Sequence, residues 1–376
     1  MKQREANFEL LRIVAMLMII TLHYLDKGGI LPKPDAAFTT AGYMAWGLEA
    51  FCVPAVNVYV LISAYFLAGS DYRPWKAAKL WIQVFFYSVG IAAVLLAVGV
   101  IPPETMDKYV LLKYLFPVVE EHYWFVTAYL LMYLLAPLMN ETLRTLPKRR
   151  LRQGLGLLLL LLSISASFLP VRLPIDRLGY DTLWFLCLYL TGAYLRYHGM
   201  PGICQETEGS AREAGGRGNG FQPMKGSLWR AFSGYFLCSI LIFLSLAVIH
   251  GLYMRTGSLG DFIKRQYQYN SIFCLLSSVL LFCAFGRMQV REGKAAAVIR
   301  RIASVSFGVY LIHEHMDLRY LWPVWLGTDR FVDTPLFLLH WLPSVLAVYG
   351  GCMLFDFARQ ALFQSVSLQF RKRDTV

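Results

Sequence analysis

The chain has 376 residues, 57% of them hydrophobic and only 16% charged, with a formal net charge of +12. That balance, with a positive mean hydropathy of +0.48, excludes both an ordinary soluble domain and a disordered chain. The excess of Lys and Arg suggests nucleic acid at first sight, but its placement along the chain accounts for it and no nucleic-acid partner is expected.

Apolar runs recur at lengths that cross a bilayer core of about 30 Å. Spanning backbone must satisfy its own hydrogen bonds, and no run alternates with the two-residue period of a barrel strand. The fold class is therefore all-α, a polytopic integral membrane helical bundle of about ten transmembrane helices. The expected spans are 7–25, 49–68, 77–99, 122–139, 154–170, 182–197, 229–250, 270–286, 302–318 and 335–356.

The first span, NFELLRIVAMLMIITLHYL (Asn7–Leu25), holds two ionisable residues that a plain anchor would not carry, Arg12 and His23. At 100° per residue they leave the same helical face, roughly 16 Å apart along the axis. Charged groups inside a span are costly and mark a pathway or a site. Arg12 interrupts the apolar region and no small-residue cleavage site follows, so this is not read as a cleavable signal peptide.

Glu49 opens the second span, which carries Asn57, and DYRPWKAAKLW follows it with Arg73, Lys76 and Lys79 at helical spacing. These three join a pattern. Basic residues gather in every second segment: Lys2 and Arg4, then the Arg73 group, then Arg144, Lys148, Arg149, Arg150 and Arg152, and later Arg287, Arg291, Lys294, Arg300 and Arg301. The positive-inside rule then sets the N-terminus in the cytoplasm, and an even span count returns the C-terminus there. The expectation is a multi-pass protein of the cell membrane. Gly199–Ser227, rich in Gly, Glu and Arg, cannot bury a core and reads as a mobile cytoplasmic linker. The chain is otherwise taken as a single domain over 1–376.

This orientation gathers polar residues at the outer face. His23 ends the first span there. Glu120, Glu121 and His122 open the fourth, and SFGVYLIHEH brings His313, Glu314 and His315 to the same level at the end of the ninth. An imidazole beside a carboxylate is what a general base and its orienting partner require. Taken singly, His122 and His315 read first as helix caps or headgroup contacts, whereas His23 shares a face with Arg12 and is the candidate base. Asn57 and Asn140 read as hydrogen-bonded links between helices. No metal site is expected, because no His pair stands at i, i+4 within a span and His313 and His315 lie on different faces. The seven cysteines are scattered without metal or redox spacing and read as small core residues. P-loop, dinucleotide-binding and nucleophile-elbow motifs are absent.

With these residues in view, the chain resembles membrane acyltransferase family 3, the OafA-type polysaccharide O-acyltransferases. The resemblance rests on the Arg12…His23 spacing, on VNVYVLISAYFL (Val56–Leu67), on HYWFVTAYLLMYLLAPLMN (His122–Asn140), on YLTGAYLRYH (Tyr189–His198) and on SFGVYLIHEH (Ser306–His315). It covers roughly residues 5–360, apart from the linker. It implies an O-acyltransferase, commonly an O-acetyltransferase, that takes its acyl group from cytoplasmic acetyl-CoA or another acyl-CoA, with no tightly bound cofactor. The acceptor it implies is a hydroxyl of a cell-surface carbohydrate, either a polysaccharide or a lipid-linked glycan. His23 carries over as the catalytic residue and Arg12 as its partner. The mechanism expected from the residues themselves has His313, Glu120 or Glu121 orienting His23, or His313 donating to the oxyanion. Arg12, Arg73, Lys76 and Lys79 are the expected phosphate grip, although Lys76 stands where the family often has Arg. Ala64 stands where a Gly is common. Direct transfer is the first expectation, since no Ser or Cys pairs obviously with His23. The alternative is a carrier or exporter of a polar small molecule or glycan, against which the lack of internal repeats speaks.

Overall fold

The computed structural model describes residues 4–118, 122–170, 173–199 and 227–373. Its helices run in order as α1 (Ala6–Lys27), α2 (Thr40–Cys52), α3 (Ala55–Leu67), α4 (Pro74–Ala97), the short α5 (Lys108–Leu115), α6 (Trp124–Thr145) and α7 (Lys148–Leu159). A π turn at Leu160–Ile164 leads into α8 (Ser165–Phe168). Then come α9 (Thr182–His198), α10 (Leu228–Thr256), α11 (Ile272–Arg287), α12 (Lys294–Ala303), α13 (Ser306–His313), α14 (Leu318–Trp325) and α15 (Phe337–Arg373). The described residues contain no strand. Nine of their helical segments are long and apolar enough to cross a membrane. The expected sixth span is α9, whose 17 residues rise about 26 Å, a little short of the hydrocarbon core.

Burial sorts the helices into an inner set and an outer ring. The apolar windows are 67% buried in α1, 72% in the α2–α3 span and 83% in the span ending with α11, against 28% in each of α4, α10 and α15. The outer helices turn Val94, Leu237, Val248, Leu339 and Phe355 outward, which is the inversion expected when the surroundings are lipid. Helix α1 packs on α2, α3, α11, α12, α13, α14 and α15, so the helix with the two ionisable residues is the axis of the bundle.

Polar links between helices replace the hydrophobic drive that lipid removes. Asn57 donates to the Tyr269 carbonyl at 2.7 Å and accepts from Trp184 Nε1 at 3.0 Å. Asn140 donates to the Leu67 carbonyl and accepts from Tyr189. Both act as the sequence suggested. The six described cysteines are buried.

Two spans depart from expectation. The second starts at Thr40, not at Glu49, because Thr39 caps it by accepting from the Gly42 amide at 3.0 Å. It is then broken at Val53–Pro54, where Pro54 removes a donor from the ladder. Glu49 therefore lies one turn before a break within the span rather than at its mouth. The ninth span stops at His313 instead of reaching 318. Beyond it, the amide of Met316 donates to His122 Nε2 (2.9 Å) and that of Asp317 to His315 Nδ1 (3.4 Å), so side chains take the donors that a continuing helix would use. His122 and His315 are thus capping residues, buried with Ser88 and Tyr114 beside the half-buried Asp317. Glu120, Glu121 and nearly all of the Gly199–Ser227 segment lie outside the described residues.

Candidate active site

One face of α1 carries Met16, Ile19, His23, Asp26 and Lys27 at successive steps of three, four, three and one residues, and that face lines a cavity of about 410 Å³. From Met16 to Lys27 the cavity follows about 16 Å of helix. Arg12 continues the stripe one turn below Met16. Tyr59 of α3 stands at that end, lining the cavity while its hydroxyl donates to the Arg12 carbonyl at 2.9 Å. Glu49 and Trp46 of α2, Phe307 and Tyr310 of α13, and Glu314 and Arg319 complete the wall around His23.

The hydrogen bonds of His23 fix which of its nitrogens is basic. His313 ends α13, and its Nδ1 lies 2.7 Å from the Val309 carbonyl one turn back. A carbonyl only accepts, so His313 Nδ1 carries the proton and its Nε2 is left as an acceptor. That Nε2 lies 3.0 Å from His23 Nδ1, which therefore donates. The relay leaves His23 Nε2 as the nitrogen with a lone pair, on a ring that lines the cavity. Glu314 Oε2 stands 3.2 Å from His23 Nδ1, and its other oxygen accepts from Arg319 at 3.1 Å. An imidazole set in this way takes a proton at Nε2, and the buried carboxylate beside Nδ1 steadies the imidazolium that results.

The remaining sequence candidates fall elsewhere. Arg12 is not a lone cation: it pairs with Glu9, which also faces Arg4 at 3.5 Å and is 1% exposed. The trio carries one net positive charge instead of two. Arg73 precedes α4 and is exposed together with Lys76 and Lys79. None of the three lines the cavity, and no described hydrogen bond or ion pair joins them to Arg12. The oxyanion role sketched for His313 does not fit, since its donating nitrogen is committed to Val309. Among the described residues no hydroxyl or thiol bonds His23.

Sequence reasoning missed Glu9, although it stands three residues before Arg12 and so on its face. It also left Glu314 and Tyr310 unassigned, though they flank His313. Glu49 was named but given no part. The cavity's aromatic wall is assembled from three separate places: Trp124 and Tyr180 lie 4.6 Å apart, and Tyr180 and Tyr269 likewise 4.6 Å. Burial pushes the Tyr180 phenol up to about 12, so it remains a neutral hydrogen-bonding group at ordinary pH.

A helical membrane bundle that encloses an imidazole with one open basic nitrogen describes a class, the integral membrane proteins with an acid–base site inside the bundle. Comparison with protein families makes this definite: the family described as an acyltransferase domain matches residues 5–357. The chain belongs to membrane acyltransferase family 3 and is an acyltransferase of groups other than aminoacyl groups. No curated protein and no solved structure matches it.

Proposed function

We propose that the protein moves an acyl group, acetyl in the first instance, from cytoplasmic acyl-CoA to a hydroxyl of a cell-surface carbohydrate, with His23 as general base. The observation that carries this reading is the relay from the Val309 carbonyl through His313 to His23, which leaves His23 Nε2 open in a cavity. The protein sits in the cell membrane with both termini cytoplasmic. The donor approaches from the Arg12 end, where exposed Arg73, Lys76 and Lys79 attract its phosphates, and its pantetheine arm extends along the cavity toward His23.

In the transfer step His23 Nε2 removes the proton of the acceptor hydroxyl as its oxygen attacks the thioester carbonyl. Glu314, held by Arg319, offsets the charge that appears on the imidazole. Tyr310 lines the cavity, and its hydroxyl has no hydrogen-bond partner among the described residues. When the tetrahedral intermediate collapses, the C–S bond breaks and the proton held by His23 passes to the departing thiolate. No acyl-enzyme is required.

The test is mass spectrometry of surface polysaccharide from a deletion strain complemented with the wild-type gene or with His23→Ala. An acyl mass lost on deletion, restored by wild type and not by His23→Ala, is the expected result. An unchanged acylation pattern with an altered amount of glycan would instead indicate an exporter.

A further inference from the structure

An imidazole that takes a proton from an acceptor hydroxyl can take one from water by the same chemistry. Water is the more abundant nucleophile, so the base alone does not separate transfer from hydrolysis, and the walls of the site must exclude water. That selection belongs at the mouth of the cavity. Of the lining residues, Asp26, Tyr180 and Lys264 are exposed, and Asp26 lies one turn beyond His23 on α1, so the mouth is at the His23 end. Leu178, two residues before Tyr180, also lines the cavity and is half-buried.

The backbone of Leu178 is unusual. Its φ is 64°, in the left-handed region, which a residue with a Cβ enters only at a cost. Three non-glycine residues among those described share this feature, Leu178, Leu259 and Asp333, and of these Leu178 alone lines the cavity. The conformation is imposed from several sides. Asp176 Oδ1 accepts from the Leu178 amide at 2.8 Å and from Asn270 Nδ2 at 2.9 Å. Asn270 is 2% exposed and also donates to the Leu162 carbonyl at 2.9 Å. Gly179 follows with φ 85°, and a Cβ added there would lie 2.8 Å from the Asn270 amide nitrogen. The turn is therefore pinned against the segment that carries Tyr269, whose ring meets that of Tyr180 at 4.6 Å. A glycine would adopt the same backbone at position 178 without strain. Strain kept at the edge of a site points to a use for the side chain.

Resting on the transferase reading above, we propose that Leu178 decides between transfer and hydrolysis, its apolar side chain forming a rim that keeps water from the thioester beside His23. The reaction it suppresses is simple. A water oxygen bonds to the acyl carbonyl carbon as His23 Nε2 takes a water proton, the C–S bond breaks, and that proton passes to the thiolate, leaving the free acid and the free thiol. Leu178 is a specificity-determining residue, with no part in the proton transfers.

The experiment has two arms. The purified full chain in detergent receives acetyl-CoA without acceptor, and released thiol is measured. Inside-out membrane vesicles of a deletion strain expressing each variant receive radiolabelled acetyl-CoA, and label in glycan is measured. Leu178→Gly is expected to release thiol about tenfold faster than wild type, to place less label in glycan per thiol released, and to melt no lower than wild type. Leu178→Asn, whose side chain also tolerates the left-handed region, should do the same. Adding His23→Ala to either variant should stop the release, which ties it to the same base. Thiol release at the wild-type rate in both variants overturns the proposal and leaves the transferase standing. A lowered melting temperature in both overturns it as well, because Leu178 is then a packing residue. If wild type moves no label to glycan, the transferase reading falls and the rim with it.

Discussion

A neutral imidazole holds one proton on either of two nitrogens, and its neighbours decide which. At His23 the decision comes from His313, whose own proton is claimed by the Val309 carbonyl. His313 is therefore a positioning residue, acting on the acceptor only through His23. His313→Phe keeps a ring of similar size and removes both nitrogens, so His23 loses its fixed tautomer. The expected result is a fall in kcat of about 100-fold or more with the donor KM little changed. His313→Gln retains an acceptor for His23 Nδ1 and should recover part of that loss, which a purely structural role would not predict. The sign of the pH dependence follows from the same atoms. Protonating His23 Nε2 removes the lone pair that takes the acceptor proton, so activity falls on acidification. A rate that rises as pH falls would contradict the base assignment.

Helix α3 supplies Tyr59 to the cavity and Asn57 to the polar links, so its position controls the site from behind. It is held against α9 by close approach of small residues. A Cβ placed on Gly192 would lie 2.7 Å from Ala64 Cβ and 3.2 Å from the Leu61 carbonyl. This also gives meaning to Ala64, which stands where the family commonly has Gly: Gly192 opposite provides the room. Gly192→Val should force the two helices apart and cost about 1–3 kcal/mol. The measurement is thermal unfolding of the purified protein in detergent, with Gly90→Val as the control. Gly90 is also helical, but a Cβ added there would meet nothing within 4 Å, so that variant carries only the helix-propensity cost of Val. Equal melting temperatures for the two variants would show that the α3–α9 approach is not close.

At the scale of the molecule, bundle architecture was legible because a run of about twenty apolar residues has few alternatives. The breaks at Val53–Pro54 and after His313 were not, since apolar composition continues through both and only tertiary partners such as His122 decide where a helix stops. The site was half legible. Arg12 and His23 share a face by arithmetic alone, whereas the meeting of His23 with His313 and Glu314 needed α13 to dock beside α1. Orientation still rests on the distribution of Lys and Arg, and the proposed chemistry depends on it: a glycan outside the cell must reach the His23 end of the cavity. Asp35 follows α1 in the loop at that end, Arg149 lies in the first turn of α7, in the basic segment that follows α6, and both are exposed. The six described cysteines are buried and the seventh, Cys204, lies outside the described residues, so a Cys204→Ser background gives a clean test by thiol labelling. An impermeant maleimide applied to intact cells should label Asp35→Cys at once and Arg149→Cys only after permeabilisation. The reverse pattern would turn the His23 end toward the cytoplasm and leave a surface carbohydrate without access. Labelling of both from outside would break the alternation of spans between them, three in number by the helices α2–α3, α4 and α6.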